Sequence, residues 1–462
     1  MKLDYIVYGV VFAFFIFLIS NATIESVWPD EAMYAWDSSH LLHESANIDL
    51  AKTNTYLTTI IAAPLAAVID PLVAYRVVVA AFAALTLLFV YLLTKEISGE
   101  YTGIAAAIAV LSSSVFVFIS SRALVDTPLA AMFTASIWSL YRLEKNRSLK
   151  NAVLFSILTG LTLLTKSIAV LLLIVYALYF IIVYKSKVFS LLREKNIQIS
   201  VAVMIPFLAA SVYNIVRNLS VLMSPVKGAI FIADKFYYFM HPITSFGWAV
   251  VLLLPAIIVI RKNIKKKGVI LLLSWAVVYI LWFSFIVGEK VPRYVLPAVP
   301  AVASLSAMSV MLVPKNKRII VVIAIALLAL YGLKGGLDII KAKSTSYIGL
   351  RDVGEYLSNV DHEIYAGSRR AIRLFSGKEY FEYGGNLKKL PESFDKFLED
   401  TANKTVSLEI DVWEYTQPSW VYPLNQEKIN NLMANGFNIS YTANREINGQ
   451  KVTVAAVFTK SS

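Results

Sequence analysis

The chain has 462 residues, of which 58% are hydrophobic, 16% charged and none cysteine, whereas soluble domains carry roughly 25% charged residues. Disulfide scaffolds, thiolate metal sites and cysteine nucleophiles are therefore excluded, and the apolar excess, gathered in long blocks, marks an integral membrane protein. The net charge of +12 does not indicate a nucleic-acid partner, because the basic residues lie in short loops between apolar blocks, as topology signals do.

Residues 5–24 carry no charged side chain. The stretch is longer than the h-region of a signal peptide and no A-x-A site follows it, so a retained first helix is expected. Ten further apolar runs follow at about 77–94, 103–121, 127–141, 152–165, 167–184, 197–216, 242–260, 268–288, 294–313 and 319–333, giving eleven expected spans. The runs at 127–141, 152–165 and 319–333 are short for a bilayer core of about 30 Å, though flanking residues can lengthen them. Basic clusters fall after every second span: Arg142 to Lys150, Lys185 to Lys195, Arg261 to Lys267, and Lys315 to Arg318. The positive-inside rule makes that side cytoplasmic. The N-terminus is then expected inside, and the chain after the eleventh span outside.

The opposite side carries scattered charges of both signs. Asp30, Glu31 and Lys52 lie in the long loop 25–73, and Arg122 and Asp126 in the turn 120–126. Lys166 sits between spans five and six, His241 at the end of the loop 217–241, and Glu289, Lys290 and Arg293 in the turn 287–293. Charges at the bilayer edge are costly and usually face a cavity or a partner. From residue 345 onward the chain is more polar. YIGLRDVGEYLSNV has helical spacing, HEIYAG and KTVSLEID read as strands, and Asn448-Gly449 is a strong hairpin signal. A small α/β domain over 345–462 is expected outside the membrane, following a membrane domain over 1–340.

The outer residues suggest a chemistry. A carboxylate ionised at neutral pH can take a proton from an attacking hydroxyl or amine. Asp30 is the first candidate, with Asp126 as a second carboxylate and Glu31 as a neighbour that orients it. A departing phosphate needs cations, which Lys52, Lys166, Lys290 and Arg293 can supply. Carboxylates and cations at an outer membrane surface suit sugar transfer from a lipid phosphate to an acceptor. No Walker A loop or convincing GxGxxG is present. Structural roles compete with each assignment. Acidic residues start helices, so Asp30, Glu31 and Asp126 could cap them. Lys166 and Arg293 could snorkel to the interface, and His241 reads more readily as interfacial than as a metal ligand. The sequons at Asn403 and Asn438 match often by chance.

Four motifs, in order, carry a resemblance: DEAMY at 30–34, SSRALVDTPLAAMF at 120–133, GLTLLTKSIAVLLL at 160–173 and KVPRYVLPAVP at 290–300. Together they resemble the GT-C glycosyltransferases that use polyprenyl-phosphate sugars, in the branch of protein O-mannosyltransferases and lipid A aminoarabinose transferases. The resemblance implies Asp30 as base, inversion at the anomeric carbon and membrane-surface helices in the outer loops. It also implies Lys52 and Arg293 as phosphate partners, with Tyr34, Arg122 and Tyr294 lining the substrate cavity. The donor would be a dolichyl- or undecaprenyl-type phosphate sugar, and the acceptor a protein, glycan or lipid. Met33 stands where the family often has Arg. Ala51 stands where a metal-binding Glu would be sought, so no metal ligand set is assigned, although a divalent cation stays open as a cofactor. The WWDxG motif of oligosaccharyltransferases is absent, which favours a single-sugar donor. A transporter is the competing reading, but no inverted repeat or matched pair of broken helices is visible. A receptor built around the outer domain would give Asp30, Asp126 and Arg293 no reason to converge. The outer domain is expected to bind the acceptor or to cover the site.

Overall fold

The computed structural model describes residues 4–42, 55–191, 193–217, 234–379, 385–412, 417–421 and 425–462. The chain divides into two compact units: Met1–Ala22 with Leu41–Ile340, and Thr23–His40 with Lys341–Ser462. The first unit is helical, and all eleven apolar runs lie in helix, whole or in pieces. Among the described residues, six helices are long and apolar enough to cross a membrane, or seven if one bent pair counts as a span. The protein is thus a multi-pass membrane protein whose helices support a smaller number of clear spans than the eleven expected.

Two expected spans are interrupted. The run 103–121 splits into Glu100–Val110 and Ser114–Ser120, bent by 69°. Ser113 accepts the Phe116 N–H at 3.2 Å and caps the second piece, so a serine triplet that hydropathy reads as neutral starts a new helix. The run 242–260 breaks at Gly247, whose φ of 94° suits glycine. A Cβ there would stand 2.6 Å from the Ser113 backbone nitrogen, and the adjoining Trp248 N–H bonds the Ser112 carbonyl at 3.1 Å. The two breaks therefore hold each other. Elsewhere the local rules apply: Asp70 accepts the Val73 N–H at 3.0 Å, and Pro71 opens the long helix Pro71–Ser98. The described residues of the loop expected over 25–73 include the helices Pro29–His40 and Tyr56–Ala66.

The second unit is built on a five-stranded sheet of order β2-β1-β3-β5-β4. The strands are β1 Glu363–Ala366, β2 Leu387–Lys389, β3 Val406–Asp411, β4 Asn438–Ile447 and β5 Gln450–Lys460. β2, β1 and β3 run parallel, whereas β5 is antiparallel to both β3 and β4. Asn448 and Gly449 both adopt positive φ, as the two-residue hairpin turn requires. Along β3 the period of two is clear. Val406, Leu408 and Ile410 face an apolar core with Tyr365, Phe397, Phe437 and Phe458, which leaves Ser407, Glu409 and Asp411 for the other face. The helix Leu350–Ser358 buries Leu350, Val353 and Leu357, and its half-buried Tyr356 stacks on Tyr441 at 4.8 Å.

Residues 23–40 belong to this second unit by several independent ties. The Arg445 Nε donates to both Glu25 carboxylate oxygens, at 3.0 and 2.9 Å, and its Nη1 reaches Asp352 at 2.8 Å. The Gly349 N–H donates to Glu25 at 2.8 Å, and the Val27 N–H to the Tyr347 carbonyl at 3.3 Å. The helix Pro29–His40 packs on the helix Arg369–Ser376, where the Arg373 guanidinium lies 4.3 Å from the Trp36 ring centre.

Candidate active site

Asp30 and Glu31 open the helix Pro29–His40 and do different things. Glu31, fully buried, turns back and accepts the Trp28 N–H at 3.0 Å. This is the returning half of a capping box, in which the third helical residue satisfies the backbone at the helix start. The carboxylate of Asp30 points elsewhere: Arg370 Nη1 donates to it at 2.9 Å, and each side chain is 36% exposed. Asp30 is therefore held by Arg370 and still reachable from solvent. Tyr34, on the same helix, is buried.

The first unit holds a second cluster at helix ends. Asp126 begins the helix Asp126–Lys145, and the Lys166 Nζ donates to it at 2.7 Å. Lys166 is extended, between the helix Leu149–Leu163 and the 3-10 turn Ser167–Val170, and this break lets its side chain reach Asp126. Arg293 lies in the 3-10 segment Pro292–Ala298, which packs on the Asp126 helix, and its charge acts on the same carboxylate. The Arg293 guanidinium is 5.8 Å from the Tyr294 ring centre, and Tyr294 meets Phe283 at 5.8 Å. Asp126, Lys166, Arg293 and Tyr294 thus share one neighbourhood.

The remaining residues singled out from the sequence are placed as follows. Lys290 is buried and donates to the Val287 carbonyl, closing its own turn. Arg122 is buried, with its guanidinium 5.4 Å from the Phe118 ring centre. His241 is exposed, with its ring 4.9 Å from that of Tyr237. Lys52 lies outside the described residues. Among the described residues, no three histidine, aspartate or glutamate side chains group as metal ligands.

Sequence reasoning passed over the residues around Arg370. β1 ends at Ala366, and Gly367 and Ser368 lead into the helix Arg369–Ser376. The Ser368 N–H donates to Glu409 at 3.1 Å, and its hydroxyl donates to Asp411. Burial, and then the charge of Asp411 beside it, push the Glu409 carboxyl well above the ordinary value. The motif SRRAIRLF after a predicted strand, two arginines opening an amphipathic helix, was a readable sign of this site.

The sequence description of the dolichyl-phosphate-mannose-protein mannosyltransferase family matches residues 57–214, a stretch that includes Asp126 and Lys166. No curated protein sequence matches the chain significantly. Among solved structures, ArnT from Cupriavidus metallidurans bound to undecaprenyl phosphate superposes with a TM-score of 0.69 at 12% identity, covering 99% of this chain and 97% of that one. The apo state of ArnT gives 0.67 at the same identity and coverage. The Archaeoglobus fulgidus oligosaccharyltransferase in its apo form gives 0.61 at 13% identity, covering 88% and 70%. At such identity the likeness is one of fold. It extends over both units, and with the family match it bears out the resemblance drawn from the four motifs: the chain has the fold of the GT-C glycosyltransferases.

Proposed function

We propose that the protein is an integral membrane glycosyltransferase. It transfers a single sugar from a polyprenyl-phosphate donor to an acceptor at the extracytoplasmic face, with inversion. Asp30 accepts the proton of the acceptor hydroxyl or amine as the acceptor atom bonds to the anomeric carbon. The bond from that carbon to the phosphate oxygen breaks, and the lipid phosphate leaves with the electron pair. Arg293 and Lys166 draw the phosphate toward the Asp126 neighbourhood, and Lys290 and Lys52 add positive charge. In this reading the chain crosses the membrane eleven times, with its N-terminus cytoplasmic and residues 345–462 outside. The acceptor is a protein, glycan or lipid.

The observation that carries this reading is the setting of Asp30, a half-exposed carboxylate oriented by Arg370 in a chain with the GT-C fold. Structures of that fold include ArnT bound to undecaprenyl phosphate and an archaeal oligosaccharyltransferase in complex with an inhibitory peptide and a dolichol-phosphate. The test is sugar transfer from a panel of polyprenyl-phosphate sugars to native membrane extract, by purified wild type and Asp30→Asn in detergent, with and without chelator. Loss of a general base lowers the rate about 10²–10⁴-fold, so transfer should collapse in the variant while donor binding persists. A folded wild type that neither binds nor transfers any donor would overturn the assignment, as would an Asp30→Asn protein with undiminished rate.

A further inference from the structure

The second unit contains a cavity of about 370 Å³ beside Asp30, within the size range of small-ligand sites. Its position follows from the sheet. β1 and β2 pair Ala366 with Lys389, and β1 and β3 pair Ala366 with Glu409, so the three parallel strands end side by side. The segments leaving those ends form the walls: Gly367 to Arg370 after β1, Lys389 to Glu392 at the end of β2, and Gln417 with Pro418 beyond β3. The carboxyl edge of parallel strands is where open α/β sheets bind ligands, because the loops there diverge and helices begin there. Pro29, next to Asp30, closes the remaining side.

The charges in the wall are unequal. Arg369, Arg370 and Lys389 line the cavity, and among its described lining residues Glu392 is the one carboxylate. Two adjacent arginines thus meet a lysine from another strand end around the cavity. Arg370 gives one hand of its guanidinium to Asp30, and its five donors in a fixed fork leave the side chain able to serve a second acceptor. Gly367 keeps the turn thin, since a Cβ there would stand 2.0 Å from the Gln417 amide. That side chain also lines the cavity.

We propose that this cavity binds an anionic group, phosphate or carboxylate, carried by the acceptor. Arg369 and Lys389 hold the anion, and Arg370 links it to Asp30, so that an acceptor anchored here presents its nucleophilic atom to the base. The link to the base rests on the glycosyltransferase reading given above. The anion site itself does not, and the two are tested separately.

The first measurement needs no turnover. The full-length protein in detergent is labelled with phenylglyoxal, which modifies accessible arginines, and labelling is read residue by residue by mass spectrometry. Inorganic phosphate and citrate are added in separate arms, with sodium chloride matching ionic strength. Both anions are expected to protect Arg369 and Arg370 but not Arg445, and Lys389→Gln should raise the protecting concentration about tenfold. Lys451→Gln, on the exposed β4–β5 hairpin, serves as the folded control with unchanged protection. Protection by phosphate alone narrows the site to phosphate. The labelling repeated in nanodiscs of phosphatidylglycerol and of phosphatidylcholine tells a lipid headgroup from a soluble anion, since only the headgroup protects without added anion. No protection in any arm, or protection equal to that at Arg445, overturns the site. The second measurement is the acceptor KM in the transfer assay, which Lys389→Gln should raise about tenfold. If wild type transfers nothing yet phosphate protects, the glycosyltransferase reading fails while the anion site stands. If transfer proceeds and Lys389→Gln leaves the acceptor KM alone, the site does not serve the acceptor.

Discussion

Asp126 and Asp30 each face a cation, and their settings differ. Asp126, in the membrane unit, has a side chain only 5% exposed, with Lys166 at 29%. Asp30, in the second unit, and its partner Arg370 are both 36% exposed. A buried pair is held by the cost of leaving either charge alone, so it fixes structure and local potential. A half-exposed pair is weak as a fastening, but it keeps a carboxylate aimed while an incoming group can still reach it. The difference teaches that an acidic residue near a cation is a different object at each depth, and that a proton acceptor for an external substrate fits the shallower one.

The largest expected effect tests the deep pair. Asp126→Ala removes the carboxylate on which Lys166 and Arg293 converge and leaves two cations at helix ends facing one another. Breaking a buried pair costs about 3 kcal/mol or more, so the purified variant should melt well below wild type in detergent and yield less folded protein. Asp30→Asn should leave melting nearly unchanged, because exposed pairs contribute about 0–1 kcal/mol. Equal melting losses in the two variants would erase the contrast between the regions.

This contrast was only partly visible in the sequence. The apolar runs were legible because hydropathy is a local sum, and each of them is helical. The Asn448-Gly449 hairpin and strands β1 and β3 were legible because turn chemistry and the period of two are local as well. The gathering of Asp126, Lys166 and Arg293 agrees with the four ordered motifs, although what these residues do there is a matter for experiment. What local reading could not supply is the company kept by residues 23–40. Asp30 meets an arginine 340 positions away, and Glu25 one 420 positions away. No spacing rule links such partners, so the segment read as a membrane loop packs with the C-terminal part of the chain. The serine triplet at 112–114 was misread for another reason: hydropathy averages over three hydroxyls, of which the buried pair on Ser112 and Ser113 ends one helix and begins the next.

A smaller effect, within the second unit, concerns Glu409. Its folded carboxyl holds its proton far above the ordinary glutamate value of 4.5, because it is buried and Asp411 stands beside it. In the unfolded chain the proton leaves near that ordinary value. Above it the folded state binds more protons than the unfolded one, so stability falls as pH rises from about 4.5 toward the raised folded value. Glu409→Gln keeps the shape, supplies an N–H toward Asp411 and has no proton to lose. The variant should therefore gain on wild type between pH 5 and pH 8, by roughly 5 °C in melting temperature at pH 8, with little difference at pH 5. A gain of the same size at both values would mean that the proton is not the cause.

The smallest effect is the most local, and it bears on why Asp30 stays with the second unit at all. Arg445 holds Glu25 and Asp352 together, but all three side chains are partly exposed, at 27%, 36% and 33%. Arg445→Ala should cost no more than about 1 kcal/mol, a shift easily lost in a melting curve of the whole chain. Hydrogen exchange gives a finer reading, because it reports the opening of one segment rather than of the fold. The Gly349 and Val27 backbone bonds stay available in the variant, as do the Trp36–Arg373 stack and the Asp30–Arg370 pair. Exchange should therefore quicken several-fold over residues 24–28 and hardly at all over 32–40, where the helix is anchored by its own packing. Quickened exchange along the whole of 23–40 would instead make Arg445 the main fastening of the segment, and Asp30 would then depend for its aim on an ion pair rather than on the helix that carries it.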